Sequence, residues 1–387
     1  MIFGTYTSTE RMALMFGLGK KSSGTVTPEQ VLDALRTVQE PELHRDLVTL
    51  NMVRDIKVDG GNVEFTVVLT TPACPLRSHI EQDCIRAVQA IPGVENVRVH
   101  FDSNVPQDHR MKGNVMTGIR NVIAVASGKG GVGKSTVATN IAVSLALEGA
   151  RVGLLDADIY GPNIPLMMGV KQLPPPQNNR IMPAEAYGVK LMSIGFMVPP
   201  DQPIVWRGPM LHTALRQFLG DVEWGELDYL IVDMPPGTGD VQLSLAQSAA
   251  LSGGVVVTTP QDVALADVRK GLVAFQKLNV PVLGIIENMS YFVCPNCDTR
   301  HYIFGQGGGR KYAEEVGVPL LGEIPLDTRV VEGGDTGKPI VIAAPESPVA
   351  QALRDIARQL AAAVSVSAMQ TQPEGVIGLG DIPVMND

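Results

Sequence analysis

The stretch Gly128-Lys129-Gly130-Gly131-Val132-Gly133-Lys134-Ser135-Thr136 constrains this chain more than any other. It follows the apolar run Val122–Ala126 and precedes Val137–Leu145, which reads as a helix. Strand, glycine-rich turn and helix in that order make a cradle for phosphate. Glycines let successive backbone N–H groups turn toward one point without Cβ clashes. The helix adds unpaired N–H groups and the positive end of its dipole. Gly128, Gly133, Lys134 and Ser135 fit G-x-x-x-x-G-K-[ST], in which the lysine reaches the β- and γ-phosphates and the hydroxyl ligates Mg²⁺. A chance match among 40 glycines is the competing explanation, and the flanking strand and helix argue against it.

From Ile119 onward strands and helices alternate, which predicts an α/β fold with a mostly parallel sheet covered on both faces. Arg151–Leu155 reads as a buried strand ending in Asp156-Ala157-Asp158. Carboxylates at the C-terminal ends of parallel strands lie where such sheets bind ligands. Asp158 can hold a Mg²⁺-bound water or position the attacking water; loop capping is the alternative. Residues 172–187 read as a surface insertion, Val189–Phe196 as a strand and Pro209–Leu219 as a helix. Tyr229–Asp233 is a hydrophobic strand ending in an acid, as a Walker B does, so Asp233 would bind Mg²⁺ directly or through water. In the following Met234-Pro235-Pro236-Gly237-Thr238-Gly239-Asp240, Gly237 could offer its N–H to the γ-phosphate. An ordinary strand-end Asp before a turn is the alternative. Strands at Gly254–Thr258 and Val282–Ile286 flank a helix at Ala264–Leu278. In the next motif, Glu287-Asn288-Met289-Ser290, the Asn288 amide can pair with both edges of adenine. Leu320–Ile324 reads as the last strand and Pro348–Ala363 as a surface helix.

A length of 387 residues suggests two or three domains. Residues 1–24 read as a disordered leader in which Met12 or Met15 could be the true start. Residues 25–101 read as a small α-β-β-α-β domain, opened by a Thr27/Gln30 capping box with Pro28 at the first helical position. Residues 102–117 read as a linker allowing that domain to move, 118–364 as the P-loop domain and 365–387 as a disordered tail. A formal net charge of −9 argues against general nucleic-acid binding. No apolar run reaches membrane-spanning length and no secretory signal is evident. Four cysteines cannot form a disulfide framework in a chain this long, which points to cytosol.

Two patches of the small domain could carry chemistry: Glu40-Pro41-Glu42 with Asp46, and Thr70-Thr71-Pro72-Ala73-Cys74-Pro75. Cys74, ahead of a helix, is either a metal ligand or reactive thiol, or a small buried residue at a tight turn. Cys84 falls mid-helix and reads as core. The segment Cys294-Pro295-Asn296-Cys297-Asp298-Thr299-Arg300-His301 allows three readings. They are a disulfide, a half zinc site with His301 as third ligand, or a cluster-binding thiolate pair.

Two resemblances follow from these motifs. Glu-Pro-Glu, the paired strands and Thr-Pro-Ala-Cys-Pro resemble the small domain of iron–sulfur assembly factors, over most of residues 27–101. That domain is also found fused ahead of a P-loop ATPase. Lys129 makes the glycine loop similar to the deviant P-loop of ATPases that dimerise face to face around two nucleotides. These include nitrogenase iron protein, arsenite-pump, tail-anchor, partitioning and division-site ATPases. Asp-Ala-Asp-Ile-Tyr-Gly-Pro-Asn, Asp-Met-Pro-Pro-Gly-Thr-Gly-Asp and Glu-Asn-Met-Ser resemble the Mrp/ApbC branch, over about Val122 to Ile342.

That resemblance implies a cytoplasmic, homodimeric, ATP- and Mg²⁺-dependent ATPase that carries an iron–sulfur cluster. Its partners would be cluster donors and apo-protein clients, with no nucleic acid or membrane. It implies that Lys129 reaches the partner subunit's phosphates and that Cys294 and Cys297 bind the cluster, with Cys74 a transient ligand or recognition element. Because a [4Fe–4S] cluster takes four thiolates and the ATPase domain holds two cysteines, the cluster is expected to bridge two subunits. A partitioning-type switch on DNA or membrane is the alternative, but the chain after Ser365 contains Glu374, Asp381 and Asp387 and no lysine or arginine. An ATP-gated electron donor is a further alternative.

Overall fold

The structure, a computed structural model, describes residues 26–108, 110, 118–159, 161–197, 208–237 and 251–370, with the side chains of 208–212 left aside. The leader at 1–24, Tyr160, Thr238-Gly239-Asp240 and residues 371–387 lie outside the described residues. The chain divides into two compact units. The first comprises residues through Glu40, His44–Val67 and His79–Phe101; the second comprises Pro41–Leu43, Val68–Ser78 and everything from Asp102 on.

In the first unit Thr27 closes the expected capping box on α1 (Pro28–Leu35): its N–H donates to Gln30 Oε1 at 3.0 Å and its hydroxyl accepts from Gln30 N–H at 3.4 Å. A two-residue pair, β1 (Gln39–Glu40) and β2 (Arg45–Asp46), comes next and is too short to leave a period in the sequence. The three-stranded sheet runs β3 (Val53–Asp59), β4 (Asn62–Leu69), β5 (Asn96–Ser103) in space, with α2 (Arg77–Gln89) between β4 and β5 in sequence. Val63, Phe65 and Val67 alternate inward on β4, and Ile80, Cys84 and Val88 form the buried stripe of α2. Cys84 is thus core, as the sequence predicts.

The second unit is built on an eight-stranded sheet. Its elements in chain order begin with β6 (Ile119–Ser127), α3 (Lys134–Leu147), β7 (Val152–Asp156), α4 (Ile164–Met167), β8 (Ala184–Ala186), β9 (Val189–Ser193), α5 (Gly208–Gly220) and β10 (Leu227–Asp233). They continue with β11 (Gly253–Thr258), α6 (Asp262–Lys277), β12 (Val282–Glu287), the short pair β13 (Phe292–Val293) and β14 (Arg300–His301), and α7 (Gly308–Val316). β15 (Leu320–Glu323), α8 (Thr328–Asp335), α9 (Ile340–Ala343) and α10 (Pro348–Gln370) complete it. The spatial order is β15-β12-β11-β6-β10-β7-β9-β8, parallel except where β8 runs antiparallel to β9. Strand alternation divides the apolar residues between two cores. Ile123 and Val125 of β6 face α3 and α10; Val122, Ala124 and Ala126 face α5 and α6.

Three expectations are corrected. The end of the 172–187 insertion is the edge strand β8, not only surface loop. α10 is not a surface helix ending at Ala363: it buries Leu353, Ile356, Leu360 and Val364, and it continues through buried Ser365 and Ala368 to Gln370. The described part of the 102–117 segment packs within the second unit, with Val105 and Asp108 buried. Arg110 Nε donates to Asp108 Oδ1 at 2.9 Å and its Nη2 to Ser252 O at 2.7 Å. In the same unit Tyr229 donates its hydroxyl hydrogen to Thr71 Oγ1 at 3.0 Å, and Ser365 Oγ donates to Thr70 O at 3.2 Å. The turn carrying Cys74 is therefore held by β10 and α10. Arg110→Met would strand the Asp108 carboxylate in the interior, at a cost of about 3 kcal/mol. Denaturant unfolding checks this, and an unchanged midpoint would mean that the pair does not anchor the segment.

Candidate functional site

Three adjacent strands of the second unit end at one level. Asp233 at the end of β10 lies opposite Val125 of β6 on one side and Asp156 of β7 on the other, and Asp156 lies opposite Ser193 of β9. The glycine loop leaves β6 here and enters α3 through Gly133, whose φ is +82°. A side chain at Gly133 would also collide with Asn288 Nδ2. That closeness has a purpose: Asn288 Nδ2 donates to Val132 O at 2.9 Å, while Asn288 Oδ1 accepts from Met289 N–H at 2.9 Å. The Asn288 amide, expected to read adenine, is engaged in bracing the loop.

Lys134 and the strand-end acids form one buried cluster. Lys134 Nζ lies 2.6 Å from Asp233 Oδ1 and 3.5 Å from Asp158 Oδ2, and Ser135 Oγ donates to Asp233 Oδ2 at 2.6 Å. Asp156 accepts from Ser193 Oγ at 2.9 Å and from the N–H groups of Asp158 and Ile164 at 3.2 and 3.3 Å. Burial, with the Asp233 charge beside it, pushes the Asp156 carboxyl up to about 8. Burial raises Asp233 too, against the pull of Lys134. One cation thus faces three carboxyl groups. The surplus of hard oxygen ligands suits a Mg²⁺ ion with bound water, and Ser135 and Asp233 are close enough to share it.

Lys129 lines the same cleft, of about 350 Å³, together with Gly130, Gly131, Lys134, Thr136 and Asp158. Gly237, with φ +95°, donates its N–H to Ser127 O at 3.0 Å, so offering it to a phosphate requires breaking that bond. A second cavity of about 400 Å³ shares Gly133, Thr136, Asn163 and Met167 with the first. It adds Asn288, Met289, Ile324, Pro325 and Leu326, and is shaped for an apolar group such as a base. The Ile324–Leu326 wall was not legible beforehand: it is an apolar strand end with no motif to mark it. Asn163 carried a signal, since it closes the Gly-Pro-Asn turn after Asp158.

The third part of the site is the β13–β14 hairpin. Phe292 pairs with His301 and Val293 with Arg300. Cys294 N–H donates to Thr299 O at 3.0 Å and Asp298 N–H to Cys294 O at 2.9 Å, with Asp298 left-handed at φ +54°. The ligand atoms of Cys294, Cys297 and His301 all lie within 4.8 Å of one another. A hydrogen bond with the Thr299 hydroxyl holds the exposed Cys297 thiol below the usual range. Leu326 N–H donates to Tyr291 O at 2.7 Å, so the base of the hairpin is tied to the wall of the apolar cavity. Cys74 is half-buried three residues ahead of α2 and is not a member of this trio. Burial pushes the Cys84 thiol up to about 12. None of the four cysteines is disulfide-bonded. No helix among the described residues is long and apolar enough to cross a membrane. Alkylation of metal-free native protein should therefore label Cys297 fastest and Cys84 only after unfolding. Mass spectrometry of the labelled peptides reads this order, and early labelling of Cys84 would contradict its burial.

Comparison with known proteins adds an independent view. The family described as NUBPL iron-transfer P-loop NTPase matches residues 118–361, and that described as iron-sulfur cluster assembly protein matches 28–101. An iron-sulfur cluster carrier protein of Synechocystis is 55% identical over 351 residues, covering 89% of this chain and 99% of that protein. The protein of the same description from Escherichia coli K12 is 43% identical, covering 86% and 91%. Among solved structures, a nucleotide-binding protein from Archaeoglobus fulgidus in complex with ADP is 40% identical. It covers 59% of this chain and 90% of its own, with a TM-score of 0.53.

Proposed function

The chain belongs to the NUBPL-type iron-transfer P-loop NTPases, the Mrp/ApbC cluster carriers, and we propose that it uses ATP to assemble an iron–sulfur cluster and pass it to apo-proteins. Membership in the P-loop NTPases carries ATP binding and hydrolysis in general. The observation that supports a link between nucleotide and cluster is the path through Asn288. That residue braces the glycine loop at Val132, and the hairpin bearing Cys294 and Cys297 begins only four residues later, at Phe292. A nucleotide that displaced the Asn288 amide, or pressed on Leu326, would act on the start of that hairpin's first strand, which Asn288 leads into and Leu326 holds at Tyr291.

In this reading Lys134, with Gly128, Gly130, Gly131, Val132, Gly133 and Thr136 around it, binds the phosphates. Ser135 and Asp233 hold Mg²⁺, and Asp158 orients the attacking water. Lys129 points its charge at a second subunit's phosphates. Cys294 and Cys297 supply two thiolates, and a two-fold partner supplies two more for a [4Fe–4S] cluster. Separating the subunits would remove half the ligands, which is how nucleotide turnover could release the cargo to a client. Cys74 assists transfer or recognition. The setting is cytoplasmic, with no nucleic acid or membrane as partner. The relatives' descriptions favour this carrier over a partitioning switch.

Lys134→Ala should abolish ATP hydrolysis. Lys129→Ala should retain most nucleotide binding and lose turnover by about 10³-fold, the scale of a charge supplied in trans. Steady-state hydrolysis and nucleotide titration separate the two effects, and equal turnover in wild type and Lys129→Ala would remove the cross-subunit role. Asp158→Asn should bind ATP and hydrolyse it slowly; unchanged turnover would return Asp158 to loop capping.

Anaerobic reconstitution should give a brown dimer with about four iron atoms, the number a single four-thiolate cluster implies. Cys294→Ser or Cys297→Ser should lose the colour and weaken dimerisation while ATP binding persists. A stable cluster on a monomer would reject the bridge. Cys74→Ser should bind ATP normally and transfer cluster more slowly; wild-type transfer would make Cys74 structural.

A further inference from the structure

Ser127, the last residue of β6, lies one position before the P-loop pattern begins, and the nucleotide and metal roles leave it without a task. It is buried, and both of its oxygens are engaged. Its hydroxyl donates to Lys129 O at 3.0 Å, and its carbonyl accepts from Gly237 N–H at 3.0 Å. One residue thus holds two segments: the loop that bears Lys129 and the turn that follows Asp233.

Each contact is constrained from a second side. Behind the glycine loop, α6 comes so close that a Cβ on Gly128 would collide with the backbone and Cβ of Asp267. The loop has no room to fall back there, and the Ser127 hydroxyl holds it from the strand end. Beside the second contact, Met234 N–H donates to Val125 O at 3.0 Å, and Pro235 and Pro236 have no N–H to give. Gly237 N–H is thus the far anchor of that turn on β6. Among the described residues Lys129 forms no ion pair, although two carboxylates are near its loop. Asp158 lines the same cleft and pairs with Lys134, and Asp267 pairs with Lys270 at 2.9 Å. A pinned backbone and an unengaged amine are what a cation directed at another molecule requires. We infer that Ser127 is a positioning residue for hydrolysis, a role that rests on the cross-subunit reading of Lys129. Its hydroxyl fixes the backbone from which Lys129 extends, and its carbonyl keeps that loop in register with the Gly237 turn. Removing the hydroxyl frees the Lys129 peptide to rotate and leaves Lys134 and the start of α3 in place. The loss therefore falls on turnover and not on binding.

Full-length protein carrying Ser127→Ala, Lys129→Ala or both tests this by hydrolysis of radiolabelled ATP and MgATP titration, with denaturant unfolding to report folding. Ser127→Ala should stay folded, bind MgATP as wild type does and lose turnover by about 10²-fold, the cost of misplacing a reacting group by about 1 Å. Ser127→Cys, similar in size with a weaker donor, should recover part of that loss. In the Lys129→Ala background, Ser127→Ala should change turnover by no more than about 2-fold, because its effect passes through the lysine. A serine that only supports the fold would slow both backgrounds by the same factor. That result, wild-type turnover in Ser127→Ala, or loss of MgATP binding in folded Ser127→Ala would overturn the role. If Lys129→Ala hydrolyses ATP like wild type, the cross-subunit reading fails and the role of Ser127 fails with it. If Lys129→Ala loses turnover while Ser127→Ala keeps it, only the role of Ser127 fails.

Discussion

The ion pair between Lys134 and Asp233 sits where the sheet's register delivers it, and the nucleotide site is arranged around it. Burying two charges is costly, and their mutual attraction alone rarely offsets the desolvation. Here the Ser135 hydroxyl and the nearby Asp158 carboxylate complete the shell, so the pair holds geometry more than it adds stability. If Asp233 takes Mg²⁺ and Lys134 the phosphates, as proposed, binding of a Mg²⁺–triphosphate would give each of these two buried charges a new partner.

The same strand-end logic extends outward. β12 ends three strands away from β10, with β11 and β6 between them, and Asn288 just beyond it returns to the glycine loop. β15 ends beside it and supplies the Ile324–Leu326 wall. The cysteine hairpin is strung between these two, linked by chain to Asn288 and by backbone hydrogen bond to Leu326. Few side chains are involved, and all sit on the loops of a parallel sheet rather than on its framework.

The parts of this arrangement that were legible in the sequence are those that local chemistry dictates. A glycine loop between strand and helix, a strand ending in Asp233 and a Cys-x-x-Cys with a nearby histidine are short patterns whose residue types narrow the chemistry to a few readings each. The parallel sheet followed from alternation of apolar runs. What stayed hidden depends on tertiary neighbours. The pairs β1–β2 and β13–β14 are too short to show a period. β8 is strand only because β9 is there to accept it. That α10 runs on past Ala363 goes with the burial of Val364, Ser365 and Ala368, which tertiary neighbours decide. Asn288 was visible as a polar residue after a strand, but its grip on Val132 follows from the close approach that Gly133 permits.

α3 is buried on nearly every side, from Val137 through Leu145, between the sheet and α10. Packed interiors are stiff and resist small displacements. The helix that follows the glycine loop is therefore held as a fixed abutment. The loop after β12 is joined to the glycine loop through Asn288 and leads within a few residues to the turn carrying Cys294 and Cys297. Under the proposed function, a rigid α3 would steer a change at the glycine loop toward that turn rather than into the core.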